Sequence, residues 1–356
     1  MMQRKPAFIQ PSLSSFLIFA FFFLVCFLLS SCGKPKTTPG SNLVIWTYDS
    51  FNSEWGPGLE VSRVFEEKTG IKIIWESRGD SGQVLSRLLS EGEKADADII
   101  LGIDQNIADR AIRSNLLEAY RPAGAENIMG ELILDAEFRL TPFDYSYFAI
   151  VYDSEKFDSG GITSPTHLSP PQSLEDLCNP AFAQGLILID PRTSTVGLGF
   201  FAWVKEAYGP LWKDYWLRLK PSILTITEGW SSAYGLFTRG EAPMVLSYTT
   251  SPGYHLEFEN TERFKAAIFT DGHVLQIEAA GLLKTAPNKE NAQAFLDFML
   301  SRDFQEIIPL TNWMYPVIDI PLPPSFAINP KSDKPLRPGP VTEADLNDWA
   351  ALMSEK

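Results

Sequence analysis

From residue 43 onward, apolar positions follow two alternating periods. Residues 43–46 (LVIW) form a short continuous apolar run of the kind a buried strand requires. Residues 59–68 carry apolar side chains at helical spacing and run into Thr69-Gly70, with Gly70 placed as a C-cap. The pattern then predicts a strand at 71–75, a helix at 83–90 closed by Glu91-Gly92, and a buried strand at 97–101 (ADIIL). This β-α-β-α-β alternation predicts a mainly parallel sheet covered by helices, the start of an α/β lobe. A second series follows, with strands at 148–152, 186–189, 224–227 and 244–247 and helices at 198–208 and 211–219. Between the first two strands, 159–171 is rich in Gly, Ser and Pro and reads as a surface loop. Residues 288–300 place Ala292, Phe295, Leu296 and Met299 on one helical face, and the proline-dense stretch 321–340 is expected to wrap the surface. Two adjacent α/β lobes would place a small ligand in the cleft between them. Patterning alone does not separate a binding protein from a two-lobed enzyme.

The N-terminus departs from this pattern. Arg4 and Lys5 precede fourteen consecutive apolar residues at 16–29, fewer than the ~20 needed to cross a bilayer core. The layout is that of a secretory signal peptide at 1–31. Leu29-Ser30-Ser31-Cys32-Gly33 resembles the bacterial lipobox. That resemblance implies that Cys32 becomes the lipidated first residue of an exported protein, membrane-anchored in the periplasm or at the cell surface. The polar stretch 34–41 (KPKTTPGS) supplies a spacer between lipid and fold. With Cys26 removed and Cys32 modified, Cys178 stands alone in the folded part, so no intramolecular disulfide is available. The net charge of −14, with no basic stripe, argues against nucleic acid as a partner. An acidic balance suits a protein that meets a cation, although solubility explains it equally well.

The candidate chemistry lies in the aromatic residues. Tyr48 and Trp55 follow the first strand; Trp230 with Tyr234, Tyr248 with Tyr254, and Trp313 with Tyr315 form three later groups. All are embedded among Gly, Pro, Ser, Thr and Asn, which reads as strand-end loops and not as helical apolar stripes. Flat rings offer stacking and a negative quadrupole, about 0.5–2 kcal/mol per contact with a planar cation.

Several of these segments carry a family resemblance. Trp46-Thr47-Tyr48-Asp49-Ser50-Phe51, Trp55-Gly56-Pro57-Gly58, Pro142-Phe143-Asp144-Tyr145 and the run 190–195 (DPRTST) come first. The runs 229–237 (GWSSAYGLF), 246–252 (LSYTTSP) and 312–317 (NWMYPV) follow in order. Together they resemble the thiamine-binding proteins of bacterial thiamine ABC transporters, and they extend over most of the chain beyond the spacer. The resemblance implies a two-lobed α/β fold of the type II periplasmic-binding-protein kind, with chain crossovers near 142–151 and 269–280. Lobe 1 would comprise 42–145 plus 271–356, and lobe 2 would comprise 146–270. It further implies a receptor that needs no cofactor or metal and that passes thiamine to an ABC permease, and a monomer is expected because a closing cleft needs free lobes. By matching position, Tyr48, Trp55, Trp230, Tyr248, Tyr254 and Trp313 would contact the ligand.

A fixed cation in a low-dielectric cleft benefits from nearby carboxylates, for which Asp49 and Asp80 are candidates, followed by Asp144. Ser194 and Thr195, at a helix start after Arg192, suit a phosphate and bring thiamine phosphates into consideration. The loop at 78–82 departs from the family pattern, so the choice between thiamine and its phosphates stays open. Other classes remain. Tyr248, Tyr254 and His255 could imitate a ferric-ion site. A thiaminase-like enzyme would need Cys178 as nucleophile, but its acidic, helical surroundings read as packing. A purely structural surface lipoprotein would need only the anchor.

Overall fold

The computed structural model describes residues 42–158 and 169–354. The expected signal peptide, Cys32, the spacer and most of the 159–171 loop lie outside those residues.

The first half is built as the apolar periods require. Strand β1 (Asn42–Thr47) lies between β2 (Lys72–Ser77) and β3 (Ile99–Asp104) and runs parallel to both, with Val44 opposite Ile74 and Ile45 opposite Ile99. Helix α1 (Gly58–Thr69) ends where expected: Gly70 has φ 72° and its N–H donates to the Glu66 carbonyl. Helix α2 (Ser81–Glu91) joins β2 to β3. Helix α3 (Gln105–Arg113) and β4 (Leu117–Glu118) follow. The next strand, β5 (Thr141–Asp153), is far longer than its expected core at 148–152 and leads into the short α4 (Ser154–Asp158).

The second half holds β6 (Leu186–Ile189), α5 (Thr195–Tyr208), α6 (Trp212–Leu219), β7 (Ile223–Thr227), α7 (Trp230–Thr238) and β8 (Met244–Tyr248). After α8 (Ser251–Glu259) and β9 (Phe264–Ala267), strand β10 (His273–Leu283) leads to α9 (Lys289–Met299) and α10 (Arg302–Thr311). The short β11 (Tyr315–Pro316) and β12 (Pro335–Leu336) precede the last described helix, α11 (Glu343–Ser354).

The strands form one mixed sheet in the order β2-β1-β3-β10-β5-β8-β6-β7. Strand β10 is antiparallel to both β3 and β5, which interrupts the parallel character that the alternation predicted. Residues 141–147 of β5 belong to the β10 and β11 side, and 148–153 pair with β8 and β9. The long strand therefore passes from one packing centre to another. The first centre gathers Ile45, Phe65, Leu85 and Ile100 with Phe295 and Phe304 from α9 and α10. The second gathers Ile150, Ile187, Phe201, Trp216 and Leu246, together with Trp349 from α11. Burying each such large side chain contributes about 2 kcal/mol before chain entropy is subtracted.

One sequence reading needs correction. Trp230 and Tyr234 lie on α7, and Tyr254 lies on α8, not on loops. Gly229, Ser251 and Pro252 resemble loop composition because a helix start leaves its first N–H groups unpaired and accommodates Pro at N1 or N2.

Candidate functional site

The parallel strands direct their C-terminal ends at one place, where ligands of open α/β sheets bind. Tyr48 follows β1, Asp80 follows β2, Asp104 ends β3, Thr195 follows β6, Trp230 follows β7 and Tyr248 ends β8. All of these except Asp104 line a cavity of about 300 Å³. Seven aromatic side chains line it: Tyr48, Trp55, Trp230, Tyr234, Tyr248, Tyr254 and Trp313.

Each ring is held by a definite contact. Gly102 makes room for Tyr48: its φ is 103°, and a Cβ there would stand 2.3 Å from the tyrosine ring. The Tyr48 hydroxyl donates to Glu278 Oε2 at 3.0 Å and accepts from Asn312 Nδ2 at 3.1 Å. Trp230 stacks on Tyr234 (centroids 5.0 Å apart, planes 19° apart), and its Nε1 donates to Ser247 Oγ. Tyr234 is fixed in turn by His255 Nε2 at 2.9 Å, whose Nδ1 lies 2.8 Å from Glu259. Burial lowers the His255 pKa, so the neutral ring can donate from Nδ1 to Glu259 and accept the Tyr234 hydroxyl at Nε2. Trp55 stands at the rim, half exposed, 6.1 Å from Trp230.

Trp313 occupies an unusual backbone position. It follows α10 with φ 56°, where a helix C-terminus ordinarily places glycine. Its N–H donates to the Ile308 carbonyl, and its ring is stacked on Phe326 and edge-on to Tyr254. A left-handed tryptophan costs about 1 kcal/mol or more, and such strain concentrates at ligand clamps.

Asp80 ties the two packing centres together. It caps α2, with Oδ1 accepting from Ser81 N and Gln83 completing a capping box. Its Oδ2 accepts the N–H of Trp230, the first residue of α7, and the start of α5 at Ser194 and Thr195 lies close enough to favour its ionised form. Burial raises this carboxyl to about 6, and these hydrogen bonds from helix starts oppose the rise. The backbones meet closely here, since a Cβ on Gly82 would stand 2.5 Å from the Thr193 carbonyl.

Glu278, on β10, also lines the cavity. It pairs across the sheet with Asp104 on β3 and with Asp144 on β5. Burial pushes the carboxyl pKa values of all three upward; for Glu278 the neighbouring Asp144 adds to the rise.

Tyr48, Trp55, Asp80, Thr195, Trp230, Tyr248, Tyr254 and Trp313 thus come together from the sequence candidates. Asp49 does not join them: it is exposed beside Tyr48 and does not line the cavity. Ser194 is buried behind the wall as the cap of α5. Sequence reasoning missed Glu278, Asn312 and Glu259, and named Tyr234 only as an aromatic neighbour. The signal for Glu278 was present as polar Gln276 and Glu278 within the otherwise apolar run 274–283. Cys178 lies away from the cavity, packs against the second centre, and has a thiol raised to about 11 by burial, which leaves it no thiolate character at neutral pH.

Residues 49–306 match the family described as bacterial extracellular solute-binding protein. The chain belongs to that family. It is 42% identical over 330 residues to the thiamine-binding periplasmic protein of Brucella abortus, covering 90% of this chain and 94% of the relative. It is 39% identical over 318 residues to the thiamine-binding periplasmic protein of Escherichia coli K12, covering 88% and 93%. A solved periplasmic thiamin binding protein superposes with a TM-score of 0.78 at 39% identity, over 88% of this chain and 94% of that one. The fold is therefore the two-lobed α/β periplasmic-binding-protein fold. Membership makes the chain a carrier and not a catalyst. Ferric-binding proteins also share the architecture, as in the Campylobacter jejuni protein with a TM-score of 0.67, but at 20% identity the likeness is one of fold alone.

Proposed function

We propose that this chain is an exported solute receptor that binds thiamine in the aromatic cavity and delivers it to an ABC importer, tethered to a membrane through a lipid on Cys32. The observation that carries the reading is the composition of the cavity: stacked rings for a planar, cationic ligand, with carboxylates beside them and, among the described residues, no ion-paired Lys or Arg on those carboxylates. Thiamine joins a fixed thiazolium cation to an aminopyrimidine. Rings answer both halves, and the acidic wall answers the charge. The names of the relatives support the same ligand.

Asp80 bears on the choice between thiamine and its phosphates. Its carboxylate occupies the point where α5 and α7 direct their first N–H groups, the place an anionic phosphate would take. Unphosphorylated thiamine is accordingly the preferred ligand of this closed arrangement. Two lobes, divided as the two packing centres suggest, would open to admit it.

A thermal scan with and without thiamine tests the reading. A ligand at 100 times its Kd raises stability by about 2.7 kcal/mol. Thiamine should shift unfolding upward, thiamine monophosphate should shift it less, and ferric citrate should give neither a shift nor tyrosinate colour. A shift with ferric citrate alone would overturn the assignment. Among the described residues no group of His, Cys, Asp and Glu is arranged to hold a metal ion.

A further inference from the structure

A row of three carboxyl groups crosses the sheet at the cavity, and its central member, Glu278, lines the cavity wall. Glu278 sits on β10 between Asp104 on β3 and Asp144 on β5, at directly opposed ladder positions. Asp104 and Asp144 are fully buried, and Glu278 is 5% exposed, at the cavity wall. Glu278 and Asp144 directly oppose one another on neighbouring antiparallel strands, so the two carboxyl groups stand on the same face of the sheet.

Among the described residues, the groups around that row give it no positive charge. Tyr48, at the end of β1, donates to Glu278, and Asn312, after α10, donates to Asp144. Gln276 of β10 and Asn106 of α3 donate to Asp104. Tyr248 of β8 faces the row, and Asp80, at the start of α2, adds a further negative charge within reach of Tyr248. Glu259 of α8 lines the same cavity and is held by His255. Among the described residues, Asp144 Oδ1 and Gln276 Oε1 are buried with no hydrogen-bond partner. Neighbouring carboxylates in a dry wall cannot all ionise without a counter-charge, so the empty cleft must hold at least one proton on the row.

We propose that cation capture here is an exchange: the ligand's fixed positive charge enters beside Glu278, and one proton leaves the Asp104–Glu278–Asp144 row for solvent. The inference rests on the cationic-ligand reading above. Charge balances, because a protonated carboxyl plus a cation becomes a carboxylate–cation pair plus a released proton. Glu278 is thereby the specificity-determining residue for charge: a neutral ligand of the same shape would fill the cavity without ionising the row. The linkage has a definite sign. The ligand favours the ionised row, so affinity rises with pH through the interval between the row's bound and free pKa values and levels off above it.

Isothermal titration with thiamine in buffers of different ionisation enthalpy counts the proton directly. The wild-type protein should release about one proton per thiamine, and its affinity should rise by about tenfold per pH unit within that interval. Glu278→Gln and Asp144→Asn, each first shown by thermal unfolding to be folded, should release close to none. Thiamine's neutral aminopyrimidine half should bind the wild type without release. Thiamine binding with no proton released, or an undiminished count in Glu278→Gln, would overturn the exchange while leaving the ligand assignment intact. Absence of thiamine binding would overturn both.

Discussion

Replacing Trp230 by alanine isolates the contribution of one ring, because the geometry leaves little else to fail. The Trp230 backbone N–H that reaches Asp80 is retained. The lost Nε1–H leaves Ser247 Oγ still bonded to Ser251 Oγ at 2.8 Å, so no buried polar atom is orphaned. What disappears is the ring stacked on Tyr234, which forms part of the cavity wall. Stacking and cation–π attraction account for about 0.5–2 kcal/mol. Roughly 40 Å² of ligand surface returned to water adds about 1 kcal/mol. The sum, about 1.5–3 kcal/mol, corresponds to a thiamine Kd roughly 10- to 150-fold weaker. Calorimetric titration reads this directly, and Trp230→Phe should recover much of the loss because it restores a flat face. An unchanged Kd in Trp230→Ala would show that the ligand does not use this wall, and the stacking argument would fail.

Three further outcomes follow from the same geometry. Because Trp313 sits at φ 56°, Trp313→Gly should be more stable than Trp313→Ala by about 1 kcal/mol in chemical denaturation, although both lose ligand affinity; equal stabilities would remove the strain argument. Gly102→Ala places a methyl 2.3 Å from the Tyr48 ring, so it should destabilise the fold by about 1–3 kcal/mol and displace Tyr48, with a fall in both unfolding midpoint and affinity. Unliganded stability should fall as pH rises from about 4 through 6 and above, since carboxyls with raised folded pKa values, such as Asp80 near 6 and Asp104 near 7, stabilise the fold only while protonated. Toward pH 2 the sign reverses through Asp135, which Arg139 holds down at about 2; pH-resolved thermal scans check both limbs.

The β1-α1-β2-α2-β3 order was legible because each segment buries a continuous or periodic apolar face, and because Gly70 and Gly92 mark helix ends in sequence as in space. The α9 face was legible for the same reason: Ala292, Phe295, Leu296 and Met299 are all buried. The placement of β10 between β3 and β5 was not, since partners so distant in sequence leave no local period. The aromatic wall could be nominated from residue type and neighbourhood. The polar floor could not, because Glu278, Asp144 and Asp104 become one row only when three strands from distant parts of the chain align. Asp49 illustrates the converse: adjacent in sequence to Tyr48, it points to solvent because the chain turns there immediately after β1.

The central claim is that this cavity selects a planar organic cation, and equilibrium titration of the purified protein with thiamine, side by side with its neutral aminopyrimidine half, tests it most directly. The expected result is saturable binding of thiamine at one site, with the neutral half markedly weaker and both lowered by Trp230→Ala. Equal affinity for the two, or no saturable binding of thiamine, would contradict it.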